Sequence, residues 1–339
     1  MLADISFLAE SQQMTSVNVT ADEVSDSESR RPSTLYHYTD AAGLIGILRP
    51  PSWDIGVWPD LEKQLADAAQ LRASDVRYMN DSEELKFGAR YFVDRLRKAA
   101  IDSTLSKDVR QACANLEVFF SHKDVFDWYL RCFATCFCEK GDLLSQWRGY
   151  AGGTGGFAIG FSWDALTQRS RVLAPTRLDP LISADQADVR PVKYGPAAAQ
   201  AAADRFIDRM REPSETIALM LTGRGHGLEW LATYALRDIL SVKDDGFEEE
   251  LEWRLYYLAG DQYGTPKIRL GRPGLVPYLN VAVNMKKVDD DTILPPALNQ
   301  LVVGPGHNQR SQIAAARQLL RGCGHDPDIV VPSRISFTG

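Results

Sequence analysis

Thr34-Leu35-Tyr36-His37-Tyr38-Thr39-Asp40, followed by Ala42, Leu44, Ile45, Ile47 and Leu48, decides how the chain begins to fold. The first five residues form a β-prone run, and Thr39-Asp40 offers side-chain oxygens to cap the apolar helical turn behind it. The order is therefore strand, cap, helix. Because side chains alternate along a strand, inward packing of Tyr36 and Tyr38 would turn His37 the other way, toward a cleft or solvent. Pro50-Pro51-Ser52 ends the helix and a loop runs through Trp58-Pro59, since adjacent prolines neither continue a helix nor donate to a ladder. Residues 1–32 are rich in Ser, Thr, Asp and Glu without an apolar period. They read as a flexible arm before a single domain at 33–339.

Farther along, Val76-Arg77-Tyr78-Met79 reads as a second strand, and Asn80-Asp81-Ser82 as the turn that caps a helix over Glu83 to Ala100. Helix is expected from Lys107 to Trp128, strand from Leu130 to Cys138, and a short helix from Leu144 to Tyr150. Gly152-Gly153-Thr154-Gly155-Gly156 then makes a sharp turn into strand Phe157 to Phe161. A strand at Val189 to Tyr194 precedes alanine-rich helices between Pro196 and Val242, broken around Gly223-Arg224-Gly225. Glu250 to Leu258 alternates charged and aromatic residues, as a strand with one buried face would. Leu301-Val302-Val303 before Gly304-Pro305, a helix over Asn308 to Arg321 and strand Ile329 to Val331 complete the pattern. Short strands between helices of unequal length predict an α+β fold, a central mixed or antiparallel sheet flanked by helices.

With 45% hydrophobic and 24% charged residues the chain has the composition of a globular protein. No apolar run approaches the roughly 20 residues a bilayer needs, and the N-terminus lacks a secretion signal, so a cytoplasmic location without a membrane partner is expected. A net charge of −7 provides no general field for a phosphate backbone, though a local basic cleft remains open. The odd count of five cysteines argues against a disulfide framework. Cys132, Cys136 and Cys138 fall in an apolar strand-like run without a second cluster at zinc spacing, which favours buried thiols.

Leu35 to Thr39, Asn80-Asp81-Ser82-Glu83-Glu84, Cys136-Phe137, Trp147 with Tyr150, Gly155 to Phe161, Phe247 to Arg254 and Val303-Gly304-Pro305 together resemble the bacterial domain of unknown function family 2971 over about residues 34 to 336. More distantly, Tyr-His-Tyr-Thr on a first strand before a short helix resembles the opening of the ADP-ribosyltransferase superfamily. That resemblance implies a histidine against the ribose of NAD and a glutamate from a late Glu/Gln-x-Glu strand, here Glu250-Leu251-Glu252. It also implies NAD as substrate, a protein or nucleic-acid acceptor, and a setting in bacterial conflict or phage defence.

Cleaving the nicotinamide-ribose bond passes through an oxocarbenium-like sugar, so a carboxylate beside it lowers the barrier. On a regular strand Glu250 and Glu252 share one face, so Glu250 can orient the nucleophile while Glu252 holds the ribose. His37 would donate to a ribose hydroxyl, with Tyr36, Tyr38 and Thr39 around the nucleotide. The rival for His37 is a core histidine bonded to a carbonyl, and the rival for the glutamates is an acidic solvent face with Glu252 paired to Arg254. Asn80 and Asp81 most simply cap a helix, but Asp81 and Glu84 are also placed to line a cleft or fix Arg148. Trp147 and Tyr150 can stack an aromatic ring or pack as core, and Lys243 and Arg254 complete the nucleotide-binding set. Gly304-Pro305-Gly306 offers amides to a phosphate or makes a plain turn. Two other functions fit these residue types: a noncatalytic nucleotide- or protein-binding sensor, and a metal-dependent nuclease using Asp81, Glu84, Glu250, Glu252 and Lys243.

Overall fold

The computed structural model describes residues 31–48, 68–79, 82–122, 131–150, 155–173, 181–182, 188–222, 227–259, 266–271, 274–284 and 295–336. The arm at 1–30, the Pro50 to Pro59 loop, Asn80, Asp81, residues 123–130, Gly152-Gly153-Thr154 and Gly223-Arg224-Gly225 lie outside the described residues.

The opening is as the sequence predicts: β1 (Thr34–Thr39) leads into α1 (Ala41–Leu48). Asp40 accepts the Gly43 N–H at 2.7 Å and so caps the helix. β2 is Ala69–Asp75, whereas the expected strand at Val76 to Met79 is a single 3₁₀ turn over Val76–Tyr78. Asp75 ends the strand locally, accepting the Arg77 backbone N–H and pairing with its guanidinium at 2.5 Å. Helices α2 (Ser82–Ala100) and α3 (Lys107–His122) follow, then β3 (Arg131–Cys138), α4 (Leu144–Tyr150), β4 (Phe157–Ser162), α5 (Trp163–Thr167), β5 (Ser170–Leu173) and β6 (Leu181–Ile182). The expected strand at Val189 to Tyr194 divides into β7 (Asp188–Pro191) and β8 (Lys193–Tyr194). Then come α6 (Gly195–Arg211), α7 (Glu215–Leu221), α8 (Gly227–Ile239), β9 (Val242–Lys243), β10 (Glu252–Ala259), β11 (Lys267–Gly271), β12 (Gly274–Val283), β13 (Leu298–Val303), α9 (Gln309–Gly322) and β14 (Val330–Pro332).

The fold is α+β around a mixed, mostly antiparallel sheet that forks at β3. One edge of β3 pairs along its whole length with β10. The other edge is shared: β1 joins at Cys138, opposite Tyr36, and β2 joins at Phe133 and Ala134, opposite Asp75 and Ser74. From β1 one branch continues to β4, β13 and β14, and from β2 the other continues to β12, β5 and β6. The β12 strand escaped the sequence pattern because Pro277 interrupts it, yet Pro277 lies outside the segment that pairs with β2.

Strand parity gives the sheet two unlike faces. Phe133, Phe137, Trp253, Leu255 and Tyr257 enter an apolar core that also takes Leu35, Ile159 and Phe161, Leu44 from α1 and Leu320 from α9. The alternate residues Glu252, Arg254 and Tyr256 face the helices. There α2, α3, α6, α7 and α8 build their own apolar core through Phe92, Leu116, Ile207 and Ala235, and meet the sheet through a small patch of Val76, Cys132, Ala134, Leu236, Leu240 and Tyr256.

Candidate functional site

The expected regular strand through Glu250-Leu251-Glu252 does not form. Asp245–Glu250 is a 3₁₀ turn, Leu251 adopts φ 46° and ψ 48°, and β10 starts only at Glu252. The left-handed residue reverses the chain locally, so both carboxylates still reach one cation. Lys243 Nζ lies 2.6 Å from Glu250, 3.4 Å from Glu252 and 2.7 Å from Glu84, and 4.4 Å from the Phe247 ring centroid.

Arg254 completes the cluster and is 1% exposed. Its Nε donates to Glu252 Oε1 at 2.6 Å, its Nη2 to Glu252 Oε2 at 3.0 Å and to Glu84 Oε2 at 2.7 Å, and its Nη1 to the Leu240 carbonyl at 2.7 Å. The backbone N–H of Glu252 donates to Tyr194 Oη at 2.8 Å. Three carboxylates thus surround two cations, and the sequence did not reveal Glu84 as their bridge. Its expected partner, Arg148, is an exposed residue on α4.

The two glutamates titrate in opposite directions. Burial pushes the Glu252 carboxyl upward, but the Arg254 guanidinium and then Lys243 outweigh it and hold the carboxyl at about 2. Burial raises Glu250, and the Lys243 hydrogen bond offsets this only in part. Glu250 is the more open of the pair, its side chain 23% exposed against 8% for Glu252. Tyr150, 43% exposed, stands at the rim close enough to feel the charges of Glu252, Glu250 and Lys243.

His37 belongs to the other face. Tyr36, Cys138 and Glu252 form one cross-strand row, so the neighbouring residue His37 points away from Glu252. It pairs across β4 with Ile159 and meets the Phe137 ring edge-on at 5.8 Å between centroids, both of them residues of the apolar core. Its Nδ1–H donates to the Cys136 carbonyl at 2.9 Å, within the fork where β1 has left β3. Burial first, and the Arg269 charge as well, lower its pKa. A ribose clamped between His37 and Glu252 is therefore excluded by sheet parity.

The aromatic set also divides. Tyr38 is buried, donates its hydroxyl to the Lys140 carbonyl at 2.7 Å and meets Trp147 edge-on at 4.7 Å. Trp147 is buried and donates to Asp142 at 2.8 Å, so these two are core rather than ring-stacking platforms. Tyr36 is half-buried and donates to Gln300 at 2.9 Å. Thr39 is half-buried at the start of α1, where a Cβ on Gly43 would overlap its hydroxyl. At Gly304, a Cβ would overlap the Gly155 carbonyl oxygen, and the Gly304 N–H donates to the Gly156 carbonyl at 3.0 Å. The glycines there serve a close-packed turn.

All five cysteines are free, and burial pushes Cys138 up to about 11 and Cys113 up to about 12. Among the described residues no group of three or more His, Cys, Asp or Glu is arranged to hold a metal ion, and no helix is long and apolar enough to cross a membrane.

The fold and this cluster define an α+β protein whose sheet carries an ion-lined face beneath a helical layer. The family model described as Protein of unknown function (DUF2971) matches residues 146–255, about a third of the chain. The matched segment contains Trp147, Arg148, Tyr150, Lys243, Glu250, Glu252 and Arg254, and leaves β1 and Glu84 outside it. No curated protein and no solved structure matches the chain.

Proposed function

We propose that the chain is an NAD-consuming enzyme of ADP-ribosyltransferase type, its chemistry centred on Glu250 and Glu252 without His37. The supporting observation is the split titration of two glutamates that share Lys243, one held low and buried and the other raised and partly exposed. Carboxyls driven apart in this way divide acid-base work between them. In the transfer, the bond from the ribose anomeric carbon to nicotinamide breaks and nicotinamide leaves with the electron pair. The acceptor nucleophile bonds to that carbon and its proton passes to Glu250. Glu252 stays charged behind Glu250 and favours the positive sugar electrostatically. NAD as donor, and a role in bacterial conflict or phage defence, come from the Tyr-His-Tyr-Thr and Glu-x-Glu resemblance.

The test is NAD loss and nicotinamide release by purified protein with cell lysate as acceptor source. Glu250→Gln is expected to lower turnover about 100-fold or more while the melting temperature holds. No NAD consumption by the wild type, or full activity in Glu250→Gln, sinks the proposal. A noncatalytic nucleotide-binding module is favoured by one observation, the enclosure of Glu252 by Arg254 and Lys243. Its signature is saturable NAD binding without turnover, unchanged in Glu250→Gln.

A further inference from the structure

On the β2 branch of the fork, Arg72 and Arg269 lie on one face of the sheet, and neither pairs with an acid among the described residues. Arg72 on β2 is exposed and holds its guanidinium 5.3 Å from the centroid of the Tyr278 ring. Arg269 on β11 is half-buried, donates from Nη2 to Ser74 Oγ at 2.8 Å and from Nη1 to the Leu270 carbonyl at 3.3 Å, and its buried Nε has no partner among the described residues. Tyr278 pairs directly with both Ser74 and Lys267, which brings β2 and β11 to the two sides of one row. Burial lowers the Arg269 pKa, and Arg72 lowers it further, the opposite of what a carboxylate partner does. The Arg269 charge also reaches His37 in the fork.

Ser74, to which Arg269 donates, shares a strand face with Arg72 two residues away, so the two like charges repel, and a buried guanidinium N–H without an acceptor costs free energy. One dianion between them relieves both. We propose that Arg269, Arg72 and Ser74 form a binding site for a phosphate group, free or as part of a phosphorylated small molecule. Arg269 offers its unpartnered Nε–H, Arg72 a second guanidinium, and the Ser74 hydroxyl, now accepting from Arg269, keeps its own proton to donate. Guanidinium forks suit the oxygens of a phosphate better than a point charge does. The site stands on the β2 branch of the sheet, on the face opposite Leu71 and Ala73, and does not depend on the chemistry assigned to Glu250.

The experiment is calorimetric titration of the full chain with inorganic phosphate, diphosphate and sulfate, separately, at fixed ionic strength. Saturable binding of one phosphate or diphosphate per chain is expected, weakened about 10-fold or more by Arg269→Gln and by Arg72→Gln. Arg269→Lys should fall between, keeping the charge and losing the fork, while Arg97→Gln on the helical layer should change nothing. In the absence of ligand, Arg269→Gln should melt no lower than the wild type, because it removes a repulsion. Absence of saturable binding, equal loss in Arg97→Gln, or full binding in Arg269→Gln overturns the site. Sulfate binding as tightly as phosphate overturns the phosphate assignment.

Discussion

The two faces of β10 are built from adjacent residues and obey different physics. Trp253, Leu255 and Tyr257 enter a hydrocarbon core, where stabilisation follows buried area and tolerates exchange of shape. Glu252 and Arg254, one residue out of phase, enter an interface held by charge-assisted hydrogen bonds, where each group depends on the identity of its partners. A second ionic set lies beside them: Asp188 pairs with Arg190 at 2.7 Å and Arg237 at 3.0 Å, and Asp238 pairs with Arg209. The helical layer is thus joined to the sheet through a small apolar patch and two buried ion clusters. Such a seam stabilises less per buried group than hydrocarbon does, and it specifies position more strictly.

The largest effect expected from this contrast is at Arg254. Arg254→Met should destabilise by about 4 kcal/mol, because Glu84 and Glu252 stay buried with only Lys243 to neutralise them. Adding Glu252→Leu should return much of the loss, and urea unfolding of the single and double variants measures this coupling. Additive losses would break the comparison, since independent contributions are what an apolar face gives. Next in size, Leu255→Ala on the opposite face should cost about 3 kcal/mol as a cavity, and Leu255→Met less than about 1.5. No conservative replacement of Arg254, Lys included, should be tolerated comparably, because Lys cannot repeat its four hydrogen bonds.

Acid should sharpen the contrast further. Glu252 has a folded pKa below its ordinary value, so its contribution is complete above 4.5 and is lost as pH falls toward about 2. Glu250 is raised, so its contribution has the opposite sign: present below the unfolded value and lost as pH rises through the folded value. Thermal melts taken stepwise through this range should show a stability loss that Arg254→Met reduces and Leu255→Ala leaves unchanged. The smallest expected effect is Phe247→Ala, about 1 kcal/mol or less, from loss of the ring beside Lys243.

Much of this was legible locally. The strand-cap-helix opening, helix α4 at its predicted bounds and the inward turn of Trp253 all follow from patterns within a few residues. The candidate site was legible as residue types and partly as partners: Glu252 with Arg254 was foreseen, while Glu84 was assigned to another arginine. The alternation assumed for Glu250 and Glu252 failed at a single residue, because a left-handed Leu251 cannot be read from side-chain pattern.

What the sequence alone determined is which residues alternate and where chain direction breaks, since those depend on backbone preferences of near neighbours. Tertiary structure decided which residues meet. Glu84 reaches Arg254 across 170 positions and Gln70 reaches Asn280 across 210. The fork at β3, and with it the separation of His37 from Glu252, arises from cross-strand register, which is set by packing of the whole sheet. A one-residue change of register turns every side chain to the opposite face, and no local pattern carries that choice.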